Sequence, residues 1–451
     1  MRILFSQPLF PWDALEDSPS IKTLRAFLDA IPDGPLLDGL HQARGKGRQD
    51  FPVRVLWGVL LLTIVLRHVT IEACLAELRR NADLRRLLGI DHEDAVPNKW
   101  NMSRFLDTLG QEPHRTRLRE VFDRLAQRLG RAVPDLGAQT AGDATTLNAR
   151  AKQTAAAQAA EARDGLPQPS GGRKEYTDDH GRVVKVVEWF GYKLHLLVDV
   201  RHEVVLAYRV TDTKTGDNEA LPVVLEQALA NLPPGRIKTL AFDKAADDGE
   251  IHELLHQQRI KPLIQMRSLW KEEPERPVGG RVPLHIVHDE AGTVFCYDRV
   301  SDPPVRRQMT YHGYEPDRDT IKYRCPARHE GWTCPSDERC NAGRDYGLTV
   351  RIPCTLDLRR FPPIPRATKT FERLYKGRTA VERVNARLKV FWGADDGNVT
   401  GARRFHALVG AIMVVHLGLA TVLASAPRWN GTLGKMRLTP IAQQLRQSLA
   451  S

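Results

Sequence analysis

The chain has 451 residues, 42% of them hydrophobic, with charges of both signs. That composition excludes a disordered chain, and the length exceeds one ordinary core, so two or three domains are expected. A net charge of +11 and a pI of about 9.4 favour a polyanionic partner, nucleic acid first and anionic membrane second, although many enzymes are mildly basic.

MRILFSQPLFPWDALEDS has no long apolar region and no small-residue cleavage site, so it does not read as a signal peptide. With no secretion signal, the six cysteines point to a reducing compartment. Residues 1–135 read as helical. FPVRVLWGVLLLTIVLRHV, 51–69, is apolar most of the way round, as a buried helix is. VTIEACLAELRRNADLRRLLGI, 69–90, reads as two short amphipathic helices broken near Asn81, and the pattern continues to about residue 130. Arg-rich outer faces suit DNA docking and suit an ordinary helical bundle nearly as well.

The texture changes at Pro134. AQTAGDATTLNA, 138–149, leads into Asp143, expected at the end of a first strand. DGLPQPSGGRKEYTDDHG reads as a polar loop. GYKLHLLVDV and EVVLAYRV, 191–200 and 203–210, read as a hairpin. EALPVVLEQALANL is an amphipathic helix. IKTLAFD, 237–243, is a buried strand stopping on Asp243, followed by the helix IHELLHQQRI and the strand KPLIQM. Residues 136–267 therefore read as an α/β layer with an acid at the end of two strands. Residues 268–368, Pro- and charge-rich with short β runs, read as an inserted module. Its Cys325, Cys334, Cys340 and Cys354, with His329 nearby, allow a structural zinc site, but they lack paired C-x-x-C knuckles, and small buried thiols are the commoner arrangement. Trp270 and Trp332 lie in the same module, and packing is the expected role of both.

YKGRTAVERVNARLK, 375–389, follows. On one regular helix Tyr375, Arg378, Glu382 and Lys389 fall within roughly 60° of arc, while Val381, Val384, Leu388 and Phe391 make a core-facing stripe. Residues 366–404 hold ten Lys/Arg against four Asp/Glu, more than half of the net charge, as expected where phosphates dock. FHALVGAIMVVHLGLATVLASA, 405–426, is nearly long enough for a membrane span, but it carries His406 and His416 and has basic flanks on both sides, so it reads as a buried core helix. GTLGK, 431–435, is too short for a phosphate loop. Residues 431–451 form a tail.

Strand ends gather at one edge of an open α/β sheet. Three carboxylates meeting there, Asp143, Asp243 and Glu382, repel one another unless a cation is present, and oxygen ligands suit Mg²⁺ or Mn²⁺. Two ions about 4 Å apart would hold the attacking and leaving oxygens of a phosphodiester.

The spacing Tyr-(2)-Arg-(3)-Glu-(6)-Lys resembles the signature of bacterial insertion-sequence transposases of the DDE class. The N-terminal helical pattern, with PNKWNMSRFLDTL, and WFGYKLHLLVD are similar to the same group. The resemblance implies an RNase H-like core, a mixed sheet flanked by helices, interrupted by a β-rich insertion and preceded by an all-helical DNA-binding domain. In segments, these are 1–135, 136–267, 268–368, 369–430 and the tail. It implies that Asp143, Asp243 and Glu382 bind the metal ions, and that Tyr375, Arg378 and Lys389 contact DNA phosphates. It also implies metal-dependent cleavage at the element's ends, attack of the freed 3′-hydroxyl on target DNA, a homodimer on double-stranded DNA, and a cytoplasmic, nucleoid-associated location. One departure stands out. Where the family places a Gly and an aromatic after the second Asp, this chain has Asp243-Lys-Ala-Ala-Asp247-Asp248, which leaves Asp247 as a rival ligand. A decayed DNA-binding derivative and an RNase H-like nuclease without strand transfer are the competing readings.

Overall fold

The computed structural model describes residues 19–45, 51–150, 154–178, 182–270, 274–396, 398–426 and 432–434. The stretch weighed as a signal peptide, the two end residues of GTLGK and the tail beyond 434 lie outside the described residues.

The chain begins with helices α1 (Pro19–Ala30), α2 (Gly34–Arg44), α3 (Val53–Val65), α4 (Ile71–Arg80), α5 (Ala82–Leu87), α6 (Lys99–Leu109) and α7 (His114–Ala132). Local chemistry sets their ends. Thr70 Oγ1 accepts from Ala73 N at 3.1 Å, and Asn98 and Asn101 form a reciprocal capping box at the start of α6. Asn81 ends α4 and caps α5 through Asp83 N and Leu84 N, which is why the sequence pattern breaks there. Strand β1 (Gln139–Asn148), α8 (Ala155–Arg163), β2 (Ser170–Thr177), β3 (Val183–Asp199), β4 (Val205–Thr211), α9 (Asp217–Asn231), β5 (Thr239–Phe242), α10 (Gly249–Gln257) and β6 (Lys261–Ile264) follow. The next segment carries the short strands β7 (Arg276–Pro277), β8 (Ile286–His288), β9 (Val294–Tyr297), β10 (Arg306–Gln308), β11 (Thr310–Glu315) and β12 (Thr320–Arg324). Helices α11 (Pro326–Glu330) and α12 (Asp337–Asn341) and strand β13 (Thr349–Pro353) complete it. Helices α13 (Lys369–Tyr375), α14 (Thr379–Ala386) and α15 (Ala402–Ala424) come last.

By compactness the chain divides into two units, Met1–Val133 with Leu147–Tyr192 and Ala386–Ser451, and Pro134–Thr146 with Lys193–Asn385. The first is built round α15, which packs most extensively on α7, then on α6, α1 and α3. It is long and apolar enough to cross a membrane by length and composition alone, yet 89% of that stretch is buried inside the structure, as a helix apolar all round requires in a large core. Tyr192 stacks on Phe405 of α15 with ring centroids 4.3 Å apart. In this unit β2 pairs antiparallel with the first half of β3. The expected polar loop of 164–181 thus contains a strand. Its backbone ladder needs no apolar side chains, and Arg173 instead pairs with Glu175 and Glu188.

The second unit holds a sheet in the order β4-β3-β1-β5-β6. β3 and β4 form the expected antiparallel hairpin, while β1, β5 and β6 run parallel. β5 and β6 are buried almost throughout, as parallel strands are, whereas burial in β1 is confined to Thr140–Gly142 and Leu147. Beyond β6 the chain forms a four-stranded sheet, β10-β9-β8-β7, and a three-stranded sheet, β11-β12-β13. These enclose a small core around Ile286, Val294, Ile321, Tyr323, Ile352 and Phe361.

Candidate active site

Parallel pairing of β1 with β5 builds the site. Gln139, Thr140 and Ala141 face Thr239, Leu240 and Ala241 in constant register. Carried two residues onward, that register sets Asp143 opposite Asp243. β1 does not end at Asp143, as the sequence suggested, but continues to Asn148, because its far half keeps extended geometry beyond the last residue paired to β5. Asp243 follows the end of β5 and caps the 3₁₀ turn Lys244–Ala246, its Oδ1 accepting from Ala245 N at 2.8 Å. Gly142 allows the close approach: a Cβ there would lie 2.4 Å from the Phe242 ring.

Residues 375–389 do not form one regular helix. α13 ends at Tyr375, Lys376–Arg378 form a 3₁₀ turn, α14 carries Glu382, and Arg387–Phe391 form a π turn. Gly377 sits in the tight turn where a Cβ would meet Val200 at 2.8 Å. Trp392 N closes the π turn on Arg387 O at 3.1 Å, and Trp392 is buried against His416. Val381, Val384 and Leu388 are buried as expected, whereas Phe391 is only half-buried, its ring covered by Arg67. The extra residue in the π turn shifts the phase of the helix.

The line of polar residues therefore survives in part. Arg378 Nη2 donates to Glu382 Oε1 at 2.8 Å across one helical turn. The Tyr375 hydroxyl is tied to the same guanidinium, and its ring stacks on Phe371. Lys389 belongs to the first unit, where it pairs with Asp395 at 3.1 Å.

Electrostatics tie the acids to this turn. Burial pushes the Asp143 carboxyl up to about 6; Arg378 opposes the rise, and Asp243 and Asp217 add to it. Burial also raises the Tyr375 hydroxyl, with Arg378 opposing and Asp243 and Asp143 contributing. Asp217, the first residue of α9, is a fourth acid that the sequence reading missed; its Oδ1 lies 3.6 Å from Nδ1 of the buried His195. Its only sequence signal was an acid opening a helix, which ordinarily reads as a dipole partner.

Asp247 is not a rival ligand. Its side chain is fully buried, with Arg359 Nη2 donating to Oδ2 at 2.7 Å and Arg267 N donating to the same oxygen at 2.7 Å. Although burial opposes it, the hydrogen bonds of His252, Arg359 and Arg267 hold the carboxyl well below the usual range. Trp270 lies between Arg276 and Arg360, and Trp332 carries Arg307 on its ring, so both are packed.

A family model described as a transposase DDE domain matches residues 139–417, more than half of the chain. The chain belongs to the DDE transposase family. A second model, described as a transposase domain, matches residues 13–108 of the transposase. No curated protein matches the chain. Transposases bind DNA, and the DDE family is one of nuclease or nucleotidyl-transferase type enzymes that use divalent metal ions. The acids of this transposase suit such ions in donor chemistry: burial raises Asp143 first, Asp243 and Asp217 add to it, and a cation offsets both. Among the described residues, no three His, Cys, Asp or Glu side chains are already converged on one point as a metal would hold them. Arg378 neutralises these acids in part.

Proposed function

We propose that this transposase cuts DNA at insertion-sequence ends in a metal-dependent reaction and joins the freed 3′-hydroxyl to target DNA. The observation that carries the proposal is the register that places Asp143 opposite Asp243, with Arg378 linking Asp143 electrostatically to Glu382. On this reading the sheet order β4-β3-β1-β5-β6 is an RNase H-like core and 268–368 is its β-rich insertion. The helices of 1–135 bind DNA, and 369–430 complete the core.

Asp143, Asp243 and Glu382 would hold Mg²⁺ or Mn²⁺, as two ions. When bound, such ions activate the attacking oxygen and stabilise the leaving one. The protein's own groups do the rest. Arg378 holds Glu382 in a half-exposed helical pair worth only a few tenths of a kcal/mol. A DNA phosphate offers the guanidinium a stronger, bidentate partner. Docking of the scissile strand would thus free Glu382 and place Arg378 and the Tyr375 hydroxyl beside the phosphate. Lys389 would contact the backbone further along. The substrate is double-stranded DNA with terminal inverted repeats, held by a homodimer, in the cytoplasm at the nucleoid.

The strand-transfer half is tested with a pre-cleaved end carrying a free 3′-hydroxyl, incubated with supercoiled plasmid and Mg²⁺. Covalent end–plasmid product is expected from the wild type and not from Asp143→Asn. Hydrolysis without joining would reduce the protein to a nuclease.

A further inference from the structure

The sequence alone grouped Cys325, Cys334, Cys340 and Cys354. The fold regroups them. Cys354 is buried in the small core beside Asp319, and His329 is not part of the wall described next. Cys296, on β9, takes the vacant place: Cys296, Cys325, Cys334 and Cys340 line one cavity of about 20 Å³, together with His285 and Arg307. That volume suits a single small particle. We propose that these four cysteines bind one structural zinc ion that pins β9 to the segment carrying α11 and α12.

Several features support a thiolate site. Asn341 Nδ2 donates to Cys325 Sγ at 3.6 Å, and His285 Nε2 lies 3.9 Å from Cys340 Sγ, the kind of outer contact that orients metal-bound sulfur. Arg307 Nε is buried and has no hydrogen-bond partner among the described residues. A cation left in that state next to thiols is suited to neutralising a zinc–tetrathiolate centre. The thiols also feel one another: burial pushes Cys296 up to about 12, with Cys325, Cys334 and Cys340 adding to the rise. A soft divalent cation offsets such a rise by binding the thiolate form. As they stand they are not drawn onto one point, so binding requires rotation of the side chains into the cavity.

The local fold has a use for such a tie. α11 and α12 have five residues each, far below the length at which a helix is stable alone. The apolar core of this segment draws on the strands rather than on these helices. Soft sulfur ligands in a closed set select zinc over the hard ions that suit carboxylates.

The test uses the full-length protein purified without chelator, with metal content measured by mass spectrometry and the zinc then exchanged for cobalt. About one zinc per chain is expected, with intense sulfur-to-cobalt charge-transfer absorption. Cys296→Ser and Cys334→Ser should lose the ion, while Cys354→Ser keeps it. The wild-type cobalt spectrum stands even if a variant misfolds. A chain that retains no zinc, a cobalt form without thiolate bands, a disulfide among the four in place of metal, or equal loss in Cys354→Ser would each overturn the proposal.

Discussion

Arg378 and Arg359, each paired with a carboxylate, show how one residue type can serve opposite ends. The Arg378–Glu382 pair is half-exposed and weak, so it can yield to phosphate and cation. Arg378→Gln should raise the affinity of the free protein for Mn²⁺, by removing a competing charge, while weakening binding to DNA ends. Titration of Mn²⁺ and of labelled DNA would separate the two effects; a parallel fall in both would contradict the exchange. Asp247 is the reverse, a buried pair locked to Arg359. Asp247→Asn leaves the partly buried Arg359 guanidinium without its carboxylate and should cost about 1–3 kcal/mol in denaturant unfolding. Because the folded carboxyl lies below its ordinary value, this stabilisation is complete above about pH 4 and is lost as pH falls further. The wild type should therefore lose more stability than the variant on acidification.

At the scale of elements, α15 illustrates what patterning reveals. Its continuous apolar run announced burial, and the structure buries it. The run also encloses His406, whose imidazole burial pushes down to about 3 and whose Nε2 lacks a partner among the described residues. The folded form holds it neutral, so stability is full above about pH 6.5 and falls as pH drops toward 3. His406→Leu should flatten that slope, read as the shift in urea midpoint between pH 7.5 and pH 5. The strands of 191–210 and 237–264 were similarly legible, because their alternation and burial are local properties. The breaks in 375–391 were not. They arise from Gly377 against Val200 and from burial of Trp392, contacts between distant parts of the chain. Asp243 could be read as an acid at a strand end; Asp143 lies within β1 rather than at its end, and the alignment of the two needed the β1–β5 register. Asp217 and Cys296 were missed for the same reason: only tertiary pairing brings them to their neighbours.

For the whole molecule, the basic charge of +11 predicts DNA binding that weakens steeply with salt, with a log–log slope of about −0.9 per phosphate neutralised. A slope near zero would remove the electrostatic basis of recognition. The most direct measurement of the account is cleavage of end-labelled DNA flanking the coding sequence by the purified transposase with Mg²⁺, beside Glu382→Gln. Cuts at matching inverted ends by the wild type alone are predicted. Cuts by both proteins would contradict the role of Glu382, and binding to those ends without any cut would make the protein a DNA-binding derivative rather than an active transposase.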